Sequence, residues 1–403
     1  MGSQNKKFND TVTKGFNTFL ASPVSLYIHL PWCLKKCPYC DFNSHATSPN
    51  EFPEKTYTEK IILDLEKSVS LLSNRRVDSI FIGGGTPSLF SPESINKILA
   101  ACYQFTQASN DCEITMEANP GTFESEKFSE FLAVGVNRLS LGVQSFKDHY
   151  LQALGRIHNA KESLSAIETA ADLGFENINI DLMFGLPEQS IEDALEEISL
   201  ACQQAVNHIS YYQLTLEPNT VFHRYPPKLP NTDVSWDIQC SAIELLKQSG
   251  FQRYEVSAYS KDGAQCRHNN NYWQYGDYLG IGAGAHSKIT NSHGISRHQR
   301  TRQPESYINA IKDDSHIVQE RSVEQDDIIF EFMLNNLRLV KGFNRHQFEI
   351  RTNMSWETVR VPLDKFIQEG LMQESDGDYQ ASELGYRFLD QLVERFLPSH
   401  SNR

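Results

Sequence analysis

From about residue 25 to residue 260 the chain alternates short apolar runs with longer segments of helical period. Leu26-Tyr27-Ile28-His29-Leu30 reads as a first strand and Val77 to Ile82 as a second. Glu113 to Met116, Asn137 to Leu141, Ile178 to Met183 and His208 to Leu216 supply four more. Between them lie helical patterns, such as Tyr57 to Leu72 with apolar residues at Ile61, Leu65, Val69 and Leu72. Ser91 and Pro92 give the helix after the second strand a cap and a first-turn proline. Strands joined by helical crossovers run parallel. Six such units are too few for a closed eight-stranded barrel. The expected class is therefore α/β, a partial (β/α)6 barrel over residues 23–262, with an open sheet as the competing arrangement. No short fixed period recurs, which argues against a solenoid.

Outside this stretch the pattern is coarser. Residues 1–22 read as a tail, and residues 263–320, rich in Gly, Asn, His and Tyr, as a connecting region. From 321 to 403 the order reads as helix, helix, hairpin, helix, with the hairpin turn at Asp376-Gly377-Asp378. That order resembles a winged-helix α+β module. A net charge of −14 argues against nucleic acid as its partner, because phosphate backbone demands clustered Lys and Arg. Packing or docking is the expected role. The stretch Phe16 to Trp32 is interrupted by Asn17, Ser22, Pro23 and Ser25 before it meets the first cysteine. Neither a signal peptide nor a membrane span is expected from it, and the expected location is the cytoplasm.

Three of the eight cysteines crowd into Cys33-Leu34-Lys35-Lys36-Cys37-Pro38-Tyr39-Cys40, a C-x3-C-x2-C spacing. Three thiolates on one tight loop can hold three corners of a cubane iron–sulfur cluster and leave the fourth iron open. Lys35 and Lys36 are expected to favour the thiolate form. Structural zinc would want a fourth ligand, and no second C-x2-C pair lies downstream. A redox pair at Cys37 and Cys40 would leave Cys33 idle.

Tyr27-Ile28-His29-Leu30-Pro31-Trp32-Cys33 through Cys40 resembles the signature of radical S-adenosylmethionine (SAM) proteins. Within these the chain is similar to the oxygen-independent coproporphyrinogen III oxidase group and the related heme chaperone family, over Tyr27 to about Ser287. The resemblance implies a [4Fe–4S] cluster on Cys33, Cys37 and Cys40, whose open iron is chelated by the amino and carboxylate groups of SAM. It further implies that Tyr27, Tyr39, Gly84, Gly85, Thr86, Glu117, Gln144, Arg156 and Asp181 contact SAM. The residue types suit such a ligand, since carboxylates and amides match ribose hydroxyls and an amino group, and Arg pairs with a carboxylate. Independently, these positions fall at or near predicted strand ends, where barrels of strand–helix units gather their ligands. Asp181, an acid within an apolar strand, is costly there without a partner. The Gly83-Gly84-Gly85-Thr86-Pro87 run is expected to let backbone approach a ligand closely.

Three features separate the branches of this group. The oxidases carry another cysteine two residues after the last cluster ligand, where this chain has Phe42. They also have a longer extension before the position of Tyr27. His268-Asn269-Asn270-Asn271-Tyr272-Trp273 resembles the HNxxYW motif of the chaperone branch, which makes His268 the expected heme ligand, with Tyr272 and Trp273 as packing for a flat macrocycle. The implied partners are heme, a recipient hemoprotein such as a membrane-bound respiratory enzyme met transiently at the membrane, and a second copy in a homodimer. The alternative is oxidative decarboxylation of coproporphyrinogen.

Overall fold

A computed structural model describes residues 22–48, 51–121 and 125–398. The tail expected over residues 1–22 lies almost wholly outside them. In β1 (Val24–Leu30) Val24, Leu26, Ile28 and Leu30 belong to the main hydrophobic core, and Ser25, Tyr27 and His29 take the other face. The same period of two recurs in β2 (Arg76–Gly84), β3 (Gln107–Ala118), β4 (Arg138–Gln144), β5 (Asn177–Phe184) and β6 (His208–Gln213). Ile80, Ile114, Leu139, Ile180 and Ile209 face the helices and the core. Parallel strands covered on both faces normally read as unbroken apolar runs. Here the second face carries Glu117, Ser140, Asn179, Asp181 and Ser210 because it lines a cavity.

After β6 come β7 (Gln252–Glu255), β8 (Ala258–Ser260), β9 (Tyr278–Ile281), β10 (His286–Asn291), β11 (Gly294–Arg300) and β12 (Ile317–Ser322). The 12-stranded sheet runs β12-β11-β10-β9-β1-β2-β3-β4-β5-β6-β8-β7. All pairings from β9 through β6 are parallel, and those beyond are antiparallel. The expected six parallel strands are present, and β9 adds another. It lies in the stretch read as irregular, since four residues between glycine turns carry too little periodicity to be seen. The inner faces of β2 to β6 line one cavity, so this stretch curls as a partial barrel does.

The connecting region thus extends the sheet, and a buried charge cluster fastens it to the barrel. Asp64, in the helix Glu54–Ser68, accepts from Arg300 of β11 at 2.7 and 2.8 Å, from the Tyr307 hydroxyl at 2.7 Å and from the Gly282 N–H at 3.1 Å.

A second core gathers Phe332, Phe348, Trp356, Leu363 and Phe366, together with Tyr275, Ile295 and Val323 of the sheet extension. It is built by the helices Gln325–Asn336, Arg345–Thr352 and Glu357–Gln368 and the hairpin Met372–Ser375 with Asp378–Ala381. A short strand, Phe343–Asn344, completes a 3-stranded sheet. The last expected helix is divided at Phe388 into Glu383–Arg387 and Leu389–Glu394.

Candidate functional site

The cysteine loop and the carboxyl ends of the barrel strands surround a cavity of about 480 Å³. Backbone pairing shapes the loop: Trp32–Cys33 pairs with His45–Ala46, and the Cys40 N–H donates to the Cys37 carbonyl at 3.1 Å. Lys36 Nζ donates to the carbonyls of Phe42 and Ser44 at 2.9 and 3.3 Å. Lys36 therefore also closes the loop, beside the expected pull of its charge towards a thiolate. Burial, then the neighbouring Cys40, pushes the Cys33 thiol up to about 11, and Lys36 opposes this only weakly. Iron binding has to remove that proton.

All eight cysteines are free thiols. Among the described residues no three His, Cys, Asp or Glu side chains converge on a single metal ion. A cubane takes one thiolate per iron and needs no such convergence, so this donor set fits a cluster better than a lone zinc ion. Cys33, Cys37 and Cys40 all line the cavity. Hydrogen-bonding groups already meet two of the sulfurs: Arg156 Nη1 reaches Cys37 Sγ at 3.6 Å, and Ser44 Oγ lies 3.6 Å from Cys40 Sγ.

The strand-end residues fill the wall beside this loop. Arg156 Nη2 donates to Asn119 Oδ1 at 2.6 Å and to the Gly142 carbonyl at 2.8 Å, so it joins the cysteine loop to the ends of β3 and β4. Its Nε is buried and unpartnered. Asn119 also donates to Thr86 Oγ1 at 3.0 Å. Gln144 pairs with Leu182 just past a register irregularity, has a left-handed φ of 68°, and its Oε1 accepts from the Tyr212 hydroxyl at 2.7 Å. Asp181 accepts from Asn179 Nδ2 at 2.8 Å, and burial raises its carboxyl above the usual range.

Glu117 Oε2 accepts from the Gly84 N–H at 3.0 Å. Burial pushes its carboxyl up to about 7; the Gly84 bond opposes the rise and Asp181 adds to it. A carboxyl raised from about 4.5 contributes stability that is complete below that value and is lost as pH climbs through about 7. Glu117→Gln is therefore expected to shrink the fall in Tm of the ligand-free chain between about pH 5 and pH 8. An unchanged fall in a thermal-denaturation series would refute the assignment.

The glycine run also has a packing role. A Cβ at Gly85 would stand 2.4 Å from the Trp32 carbonyl oxygen, and one at Gly84, where φ is +124°, 2.7 Å from His29. These glycines are required for close packing on the segment leading into the cysteine loop. Both residues and Thr86 still line the cavity.

Two expected site residues stand off the wall. Tyr27 is stacked on Phe81 behind it, with its hydroxyl 2.9 Å from His29 Nδ1. His268 is 2% exposed, in the helix Arg267–Trp273, packed among Tyr27, Phe81 and Tyr272. Conversely, Asn119, Ser140, Asn179, Ser210 and Tyr212 line the cavity although sequence reasoning does not single them out. Their signal is the polar half of the strand alternation.

A model of the radical SAM superfamily matches residues 27–201, and one of the HemN C-terminal domain matches residues 323–388. The heme chaperone HemW of Haemophilus influenzae is 45% identical over 93% of this chain and 98% of its own length. The family is thereby decided. This chain belongs to the HemW family. HemW of Escherichia coli is likewise 45% identical, over 93% of this chain and 98% of its own. The mouse mitochondrial radical SAM domain-containing protein 1 is 32% identical over 93% of this chain and 87% of that one. Coproporphyrinogen III oxidase HemN of Escherichia coli has the same fold, with a TM-score of 0.79 at 21% identity over 95% of this chain and 92% of that one. Membership of the superfamily implies a [4Fe–4S] cluster and SAM. In this HemW family member no helix among the described residues is long and apolar enough to cross a membrane.

Proposed function

We propose that this chain binds heme and delivers it to a recipient hemoprotein, with Cys33, Cys37 and Cys40 holding a [4Fe–4S] cluster and the adjoining strand ends holding SAM. The single observation that carries the site assignment is the gathering of three thiols, Arg156, Glu117, Gln144 and Asp181 on one cavity. When bound, the reduced cluster can supply an electron to the SAM sulfonium. The chain's own part is to bind and orient. Arg156 would fix the Cys37 corner, and Glu117 and Asp181 offer acceptors to an amino group or to ribose hydroxyls. The heme reading is supported by the heme chaperone function that gives the HemW relatives their name. It is supported too by Phe42, which lines the mouth at 59% exposure where the oxidases have cysteine. A membrane-bound respiratory enzyme as recipient, transient contact with its membrane and pairing as a homodimer belong to the same proposal.

His268 is the heme ligand in this reading. Burial, then the Arg138 charge, pushes its imidazole down to about 3, so it is neutral near pH 7. Ser79 Oγ donates to Ser25 Oγ and so accepts from the His268 Nδ1–H at 3.3 Å, which leaves the lone pair on Nε2. Nε2 is buried with no partner. Ligation requires the buried His268 Nε2 to be uncovered. Titrating heme into anaerobically reconstituted protein is expected to give a Soret band that His268→Ala shifts or weakens; superimposable spectra count against this ligand. Conversion of coproporphyrinogen to protoporphyrinogen in the same preparation would favour the oxidase alternative.

A further inference from the structure

Arg138 opens β4 and lines the cavity, yet the residue is only 2% exposed. Among the described residues its guanidinium forms no ion pair and no hydrogen bond, and its Nε is wholly buried. Glu113 and Asp181 attract it without a hydrogen bond, and the carboxylates around it spend their hydrogen bonds elsewhere. Glu113 accepts from the N–H groups of Arg267 and His268 at 3.0 and 3.1 Å. Glu255 accepts from Arg338 at 2.9 Å and from the Ser257 N–H at 3.1 Å, and Asp181 from Asn179 at 2.8 Å. In the same register row Arg138 is flanked by Thr115 and Asn177, whose Oγ1 and Oδ1 are also buried without partners. A further cavity residue, Trp273, has a buried, unpartnered Nε1–H, and its ring is held by Arg338 at 4.3 Å.

We propose that Arg138 and Trp273 Nε1 form a carboxylate-binding subsite at the inner end of the cavity. A buried charge without a partner is costly, and a guanidinium fork matches the two oxygens of a carboxylate. Indole N–H is a donor only, so the pair selects an anion over a cation. The subsite is separate from the cluster corner: Gly142, whose carbonyl meets Arg156, lies four residues or about 13 Å further along β4. That the carboxylate is a porphyrin propionate rests on the heme reading above; the subsite itself does not.

The test uses the full chain with its cluster reconstituted. Sodium propionate is titrated against sodium chloride at matched ionic strength, with indole fluorescence and Tm as readouts. Wild type is expected to respond saturably, and Arg138→Gln to bind at least about tenfold more weakly, the loss of one charge-assisted hydrogen bond or more. Because Arg138 has no hydrogen-bonded partner to lose, Arg138→Gln without ligand should remain folded, and its own ligand-free Tm is the baseline for its propionate response. A lowered Tm with no propionate response in wild type marks Arg138 as a structural cation and overturns the subsite. An undiminished response in Arg138→Gln does the same. Should Arg138→Gln fail to fold, Trp273→Phe takes its place, and an unaltered affinity there overturns the subsite. A second arm compares metal-free mesoporphyrin with its dimethyl ester. Preference for the acid, lost in Arg138→Gln, assigns the subsite to porphyrin carboxylates. Equal binding of acid and ester with the propionate response intact overturns that assignment and gives the subsite to a small free acid. No binding of heme or either porphyrin, with the propionate response intact, overturns the heme reading alone.

Discussion

Cys37→Ala is expected to abolish the iron–sulfur absorbance of anaerobically reconstituted protein and, with it, measurable SAM binding. The loop supplies three thiols, so losing one leaves two corners held and removes the sulfur that Arg156 Nη1 approaches at 3.6 Å. The iron-free fold should scarcely notice, because Cys37 is only partly buried and such substitutions change stability by about 0.5 kcal/mol or less. Cys240→Ala, at an exposed thiol outside the loop, is the control and should keep its full cluster content. Iron and sulfide analysis with visible spectra checks both. A full cluster complement in Cys37→Ala would mean that the triad is not the ligand set.

Asp64→Ala is expected to cost about 3–5 kcal/mol of unfolding free energy, the usual penalty for breaking a buried ion pair and leaving its cation uncompensated. Burial by itself would raise the Asp64 carboxyl, yet Arg300, with His316 and Tyr307, holds it well below the usual carboxylate range. Both side chains of the Asp64–Arg300 pair are fully buried. The damage should reach the cysteine loop. Asp64 also holds the Gly282 N–H, and Asn43, just past the loop, donates to the Ala283 carbonyl at 2.9 Å. Denaturant titration measures the effect, and a loss under about 1 kcal/mol would show that the buried charge cluster is dispensable to the fold.

The order of residues carries much of this architecture, because strand, turn and helix cap are local events. Ser91 and Asn159 cap helices as their residue types require. The residues bearing chemistry at strand ends converge because parallel strands present all their carboxyl ends on one side. Two kinds of feature are harder to read. Where a polar residue alternates inside a strand, as Ser140, Asn179 and Ser210 do, sequence cannot say whether that face meets solvent or a cavity; curvature decides it. Packing partners distant in sequence are also hidden. Gly85 is demanded by the Trp32 carbonyl, and Lys36 is drawn to Phe42 and Ser44, relations that exist only after the loop has folded. His268 shows the same gap: its motif suggests an available imidazole, while its helix places it beneath Phe81.

Electron paramagnetic resonance of the anaerobically reduced wild-type protein, with and without SAM, tests the central claim most directly. The expected result is a [4Fe–4S] signal whose shape changes on addition of SAM, because the proposed ligand set of three thiolates leaves one corner of the cluster open. A reduced cluster whose signal is identical with and without SAM, or no cluster signal at all, would contradict it.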